Sequence, residues 1–218
     1  MRKMYLSAPL PFVGQKRMLA KEFMKVLEQY PDGTLFVDLF GGSGLLSHIT
    51  KSLKPHSTVI YNDFDNYRFR MKHIPQTNQL LADIREMVGN SVPRHKIIKG
   101  ELRERIFSRI EQEENSTGYV DFITLSSSIL FSMKYKLSVQ DMRKEALYNN
   151  IRKTGYPECT DYLEGLEIVS CDYKEVFNRY KDIPGVVFLV DPPYLSTDVG
   201  TYNMYWNMAD YLDVLNVL

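Results

Sequence analysis

Thr34-Leu35-Phe36-Val37-Asp38-Leu39-Phe40 runs directly into Gly41-Gly42-Ser43-Gly44. The first seven residues are mostly apolar on both faces, as a buried parallel strand is. The glycines that follow mark a tight turn in which backbone amides approach a ligand at a helix N-terminus. A helix is expected over about 44–53, ended by Pro55, and then a second strand, Thr58-Val59-Ile60-Tyr61, closing with Asn62-Asp63. Strand, glycine turn, helix, strand and acid in that order open a doubly wound α/β domain. Upstream, residues 1–15 are irregular, with Pro9, Pro11 and Gly14 as breakers. A helix is expected at 15–29, with Met18, Leu19, Phe23, Val26 and Leu27 at helical spacing, before the Pro31-Asp32-Gly33 turn.

Beyond residue 65 the pattern changes. From 66 to 165 the periodicity is helical and no buried strand stands out; Leu102, Ile106, Phe107 and Ile110 share one helix face, and Tyr119–Lys136 reads as a second helix. Two basic runs lie here. Residues 94–110 carry six Lys or Arg against two Glu, and residues 134–153 carry six against one Asp and one Glu. Either run alone is as readily a solvated helix face; two in one segment favour a surface that contacts phosphates. Arg94, Lys96, Lys99, Arg103, Lys134, Lys136, Arg143 and Lys144 are its candidate residues.

Strand character returns at Leu166-Glu167-Ile168-Val169-Ser170, followed by Cys171-Asp172-Tyr173, and again at Val186-Val187-Phe188-Leu189-Val190. The latter runs straight into Asp191-Pro192-Pro193-Tyr194 at the carboxyl end of a buried strand, the edge where open α/β sheets bind ligands. Neither proline nitrogen carries a hydrogen, so this loop presents acceptors, a carboxylate and carbonyls, beside an aromatic ring. Such a set suits an exocyclic amine on a flat base. The glycine turn alone is less specific: such turns bind dinucleotides, sulfonium cofactors or nothing, and the third glycine of the dinucleotide fingerprint is replaced by Ser47.

Composition narrows the class. Lys plus Arg and Asp plus Glu each total 27 in 218 residues, so the net charge is zero and any basic footprint must be local. Hydrophobic residues at 44% exclude a disordered chain. Cys159 and Cys171 form no CxxC pair, which argues against a disulfide framework or a metal site and for a reducing, cytoplasmic setting. No run of some 18 apolar residues predicts a membrane span, and no signal peptide is expected.

Phe12-Val13-Gly14-Gln15-Lys16, Asp38-Leu39-Phe40-Gly41-Gly42-Ser43-Gly44 and Asp191-Pro192-Pro193-Tyr194, in that order and separated by a helical insertion, resemble the Dam-type adenine-N6 DNA methyltransferases. The resemblance covers essentially the whole chain, the insertion matching only in position and character. It implies a Rossmann-like S-adenosylmethionine-dependent methyltransferase fold formed by residues 1–65 and 166–218, with a helical target-recognition insertion at 66–165. It places Phe12, Lys16, Asp38, Phe40, Gly42 and Gly44 around S-adenosylmethionine, Asp63 on its ribose with Asp65 as the near alternative, and Asp172 and Tyr173 on its adenine. Asp191, Pro192 and Tyr194 would hold the target adenine of double-stranded DNA. No metal is implied.

Only 24 residues follow Tyr194 (218 minus 194), where the family has further strands. An apolar strand at 186–190 reads as central, and its open edge would be an aggregation liability. The expectation is a sheet lacking its C-terminal strands, with self-association or a further C-terminal segment covering that edge. The alternatives are a methyltransferase acting on RNA and a catalytically impaired DNA-binding fragment.

Overall fold

The structure is a computed structural model that describes residues 3–131, 134–193 and 208–217. The chain forms two compact units, Met1–Phe69 with Cys159–Leu218, and Arg70–Glu158. In the first, α1 (Ala20–Leu27), β1 (Phe36–Asp38), α2 (Leu45–Leu53), β2 (Val59–Asn62), β5 (Glu167–Val169), α8 (Tyr173–Tyr180), β6 (Val187–Leu189) and α9 (Met208–Val217) build an α/β domain. Its four strands pair in parallel in the order β5-β2-β1-β6. Parallel neighbours need crossover connections; α2 supplies the one between β1 and β2, while α8 carries the chain from β5 at one edge to β6 at the other.

Period-two alternation in the strands distributes their side chains to two apolar layers. Phe36, Val59 and Leu189 pack with Ala20, Leu27, Leu45 and Ile49 beneath α1 and α2. Val37, Leu39 and Ile60 pack with Tyr173, Val176 and Val214 beneath α8 and α9. The central strands β1 and β2 are buried at every residue, which explains their near-continuous apolar sequence. The strand at 186–190 has β1 on one side and, among the described residues, no strand on the other, as expected, and its residues are mostly half-buried. Its uninterrupted apolar run reflects cover on both faces, with Phe188 against Phe177 at 4.9 Å between ring centroids.

The N-terminal helix is shorter than 15–29 and turned differently from the expected face. Met18, Leu19 and Val26 are exposed, Met18 at 84%, while Ala20, Phe23, Met24 and Leu27 face the sheet. Those four stand at i, i+3, i+4 and i+7, and burying them keeps Glu22 and Lys25 in solvent, where they pair with each other at 3.0 Å.

The second unit contains α4 (Ile74–Val88), β3 (Ile97–Ile98), α5 (Gly100–Thr117), α6 (Phe122–Ile129), α7 (Val139–Arg143) and β4 (Leu147–Tyr148); α3 (Tyr67–Lys72) includes the residues where the two units divide. It is mainly helical, with one correction: β3 and β4 pair antiparallel, as two-residue strands too short to show a period in sequence. The helix expected over 119–136 is confined to α6. Asp121 caps its first turn, accepting from the Thr124 amide at 3.1 Å, and Leu130 is already extended. Asp121 also faces Arg70, whose Nε lies 3.2 Å from each carboxylate oxygen, with the two side chains 1% and 8% exposed. Removing one partner of such a pair leaves the other charge buried. Asp121→Ala is therefore expected to cost about 3–5 kcal/mol in urea unfolding, and Asp121→Asn less, because the amide oxygen still caps the helix.

Candidate active site

A crevice of about 860 Å³, measured out to its open mouth, lies at the carboxyl ends of the four parallel strands. Each strand delivers residues to it: Leu39 and Phe40 beyond β1, Asn62 at the end of β2, Tyr173 beyond β5, and Asp191, Pro192 and Pro193 beyond β6. The N-terminal segment closes another side with Phe12 and Lys16. That segment is anchored by the buried Tyr67, whose hydroxyl accepts from the Leu10 amide at 2.8 Å and donates to the Leu10 carbonyl at 3.1 Å.

The glycine turn forms the floor. Gly42 and Gly44 have φ of 48° and 71°, a region costly for residues with a Cβ. A Cβ on Gly42 would stand 2.9 Å from the Phe12 ring. Gly41, which the sequence reading did not single out, is the more constrained: its Cβ would stand 2.3 Å from the Tyr61 ring and 2.7 Å from the Asn62 carbonyl. Asn62, also not singled out as a site residue, is buried and binds the strand ends together. Its side-chain amide donates to the carbonyls of Leu39 (3.0 Å) and Cys171 (2.9 Å) and its oxygen accepts from the Cys171 amide (3.1 Å). Nothing in its sequence position signals that role, because its partners lie on other strands.

Of the residues expected at the site, Phe12, Lys16, Phe40, Gly42, Tyr173, Asp191 and Pro192 line this one crevice. Tyr194 lies outside the described residues. Asp38, Gly44, Asp63 and Asp172 do not line it. Gly44 caps α2, and Asp172 caps α8, accepting from the Lys174 amide at 2.8 Å. Asp63 holds the start of α3, accepting from the amides of Tyr67 (2.6 Å) and Arg68 (3.0 Å) and from the Tyr61 hydroxyl (3.0 Å). Its carboxylate is thus committed to structure, while Asp65 is the acid that lines the crevice.

Two carboxylates set the electrostatics. Asp191 Oδ2 is 2.7 Å from Lys16 Nζ, with the side chains 20% and 16% exposed, and the same ammonium donates to the Gly14 carbonyl at 2.9 Å. Asp38 is buried beneath the turn. Its Oδ2 accepts the Ser47 hydroxyl at 2.7 Å, and its Oδ1 is buried with no hydrogen-bond partner among the described residues. Burial pushes the Asp38 carboxyl up to about 7, the Asp191 charge adds to the rise, and the Ser47 hydroxyl and Phe40 amide pull against it. The walls are aromatic, with Phe40 and Tyr173 at 4.9 Å between centroids. Among the described residues no group of three or more His, Cys, Asp or Glu is placed to hold a metal.

In the helical unit, the expected phosphate-contacting residues are largely engaged with acids. Lys134 and Lys136 pair with Glu145 at 2.6 and 3.2 Å, and Lys144 with Asp141 at 2.7 Å. Arg103 pairs with Glu104, and Arg143 with Glu104 and Glu111. Arg94 donates to the Ile151 carbonyl. Lys96 and Lys99 are exposed.

A parallel sheet whose carboxyl ends converge on a glycine turn, aromatic walls and an Asp-Pro-Pro loop defines an α/β protein with an aromatic-walled crevice beside an acceptor-lined subsite, at the edge where such sheets bind ligands. The chain belongs to the D12 class N6 adenine-specific DNA methyltransferase family, which matches residues 12–213. It is also 38% identical over 222 residues to a protein of Haemophilus influenzae (strain ATCC 51907 / DSM 11121 / KW20 / Rd) named "Putative methyltransferase", covering 99% of this chain and 74% of that one. The chemistry of this family is adenine methylation in DNA, which requires a methyl donor. Among the described residues no helix is long and apolar enough to cross a membrane.

The buried Asp38 carries a pH signature. Its folded-state pKa of about 7 lies above the unfolded value, so the protonated form is favoured by folding. Stability without ligand is fully present below the unfolded pKa and declines as pH rises to about 7, after which it is level. Asp38→Asn is expected to be more stable than wild type at pH 8, by on the order of 3 kcal/mol, and to lose that advantage toward pH 4 in urea unfolding.

Proposed function

We propose that this chain transfers a methyl group from S-adenosylmethionine to the N6 amine of an adenine flipped out of duplex DNA. The observation that carries this reading is the convergence of the glycine turn and the Asp191-Pro192-Pro193 loop on one crevice. The residues present fit that donor. The floor at Gly41 and Gly42 excludes side chains, Phe40 and Tyr173 suit a planar heterocycle, and Asp65 suits ribose hydroxyls, while Asp38 lies buried beneath the turn rather than on the crevice wall. The last assignment moves the ribose role from Asp63 to Asp65.

Bound there, S-adenosylmethionine supplies a methyl group on a sulfonium; as the adenine nitrogen takes it, the C–S bonding pair stays with sulfur and the surplus amine proton goes to solvent. The protein's task is to make the amine a nucleophile. Adenine's amino lone pair is conjugated with the ring. Asp191 and the Pro192 carbonyl, as two acceptors for the amine hydrogens, turn that lone pair toward the methyl carbon, and Asp191 stabilises the positive charge that develops. Lys16 Nζ holds Asp191, so an entering amine exchanges with the lysine ammonium for the same carboxylate. Orientation of this kind contributes about 7–11 kcal/mol in favourable cases.

A base within a duplex is out of reach of such a crevice, and extrusion costs a few kcal/mol. Tyr194 is assigned to stack on the extruded base, and the insertion to hold the backbone. Lys96 and Lys99 lead the phosphate contacts, since Arg103, Lys134, Lys136, Arg143 and Lys144 would first have to exchange their acidic partners and Arg94 is engaged by the Ile151 carbonyl. Asp191→Ala is expected to lower methyl transfer to duplex DNA by at least about 100-fold while donor affinity stays within a few-fold. Labelled-methyl transfer with RNA as the control substrate, together with calorimetric titration of the donor, measures both. Wild-type rates in the variant would refute the assignment.

A further inference from the structure

The peptide planes of the glycine turn are held from behind by two buried tyrosine hydroxyls. Tyr61, on β2, donates to the Gly42 carbonyl at 2.8 Å, and Tyr162, in the segment before β5, donates to the Ser43 carbonyl at 3.1 Å. A trans peptide is a rigid plane with its C=O and N–H opposed. Fixing the Gly42 carbonyl therefore aims the Ser43 N–H the opposite way. Fixing the Ser43 carbonyl sets the Gly44 N–H, which closes the turn on the Gly41 carbonyl at 2.7 Å. Gly42 and Gly44 carry no side chain to restrict φ, so these carbonyl contacts restrain a segment that is otherwise free to sample other conformations.

Tyr162 does not line the crevice and is fully buried. It is set by His48, which lies one helical turn into α2 and whose own amide donates to the Gly44 carbonyl at 2.8 Å. The His48 ring stacks on the Tyr162 ring at 4.7 Å and 14°, and its Nδ1 is 2.7 Å from the Tyr162 carbonyl. His48 Nε2 accepts the Tyr5 amide at 2.9 Å, so Nε2 carries the lone pair and Nδ1 carries the proton. The Tyr5 hydroxyl donates to Asp161 at 2.7 Å, tying the N-terminal segment to the residue beside Tyr162. His48 is thus a neutral, single-tautomer bracket joining the helix, the N-terminal segment and the ring that props the turn.

We propose that Tyr162 is a positioning residue for the methyl donor, held in place by His48, and that its hydroxyl presets the Ser43–Gly44 peptide against which the donor binds. The proposal rests on the reading of this crevice as the donor site. Tyr61 acts on the neighbouring peptide, but its one hydroxyl proton is shared with Asp63, so Tyr162 gives the cleaner test.

Tyr162→Phe keeps the stacked ring and removes the prop. S-adenosylmethionine titrated by calorimetry into the whole chain is expected to bind the variant about five- to tenfold more weakly than wild type, one lost hydrogen bond's worth. In methyl transfer the KM for the donor should rise by the same factor while kcat at saturation stays within about twofold. Tyr156→Phe, which alters a buried tyrosine of the helical unit, is expected to leave donor affinity unchanged. In the ligand-free chain, the ¹⁵N spectrum of the His48 ring should show the Nδ1-protonated tautomer. Wild-type binding with equal affinity in Tyr162→Phe would overturn the positioning role and leave the donor site standing. Absence of donor binding in the wild type would overturn the donor site and this inference with it.

Discussion

The close approach of Gly41 to the Tyr61 ring is the contact on which the rest of the site depends. No side chain fits at Gly41, so the chain leaving β1 lies directly over β2 and turns at once into α2. That turn is possible because the next residues accept positive φ, and it is held because Tyr61 and Tyr162 take up its carbonyls. The result is a floor of backbone rather than side chain, the surface a compact ligand needs if peptide amides are to reach it. A larger residue at Gly41 would displace β2 or lift the floor, and either would separate Asn62 from the strand ends it joins.

Around that floor the sheet brings together residues remote in sequence. β1 and β6 are neighbours in register, so the residues just past each strand, Phe40 and Asp191, reach the same crevice although the whole helical unit lies between them in the chain. The Lys16–Asp191 pair satisfies the carboxylate of the acceptor loop: a partly buried carboxylate keeps a cation beside it. Asp38 solves the same problem differently. Buried, and with no cation paired to it among the described residues, its carboxyl rises toward neutrality.

The helical unit shows how poorly a run of basic residues reports surface charge. Glu104, Glu111, Asp141 and Glu145 are spread thinly through the sequence, yet packing of α7 on α5 brings Arg143 against Glu104 and Glu111, the fold brings Lys134 and Lys136 against Glu145, and Asp141 meets Lys144 three residues on. Arg103 and Arg143 further flank the Phe107 ring at 4.6 and 4.5 Å. The unit's basic character is therefore partly consumed in holding α5 and α7 together, and the phosphate-binding potential concentrates on fewer residues than composition suggests.

Local pattern was enough for the α/β class, the glycine turn and the acceptor loop, since strand alternation, breaker residues and the missing amides of two prolines are properties of contiguous chain. It also identified seven residues that line the crevice. It expected Asp63 and Asp172 at the crevice, which neither lines, because an acid just after a strand is equally a helix cap, and only the orientation of the next helix separates the two. It passed over Asn62, Tyr61, Tyr162 and His48, whose roles consist of hydrogen bonds to partners up to 119 residues away. Side-chain chemistry is carried by sequence, but the identity of a hydrogen-bond partner across a sheet is a matter of register and packing, and those exist only once the chain has folded.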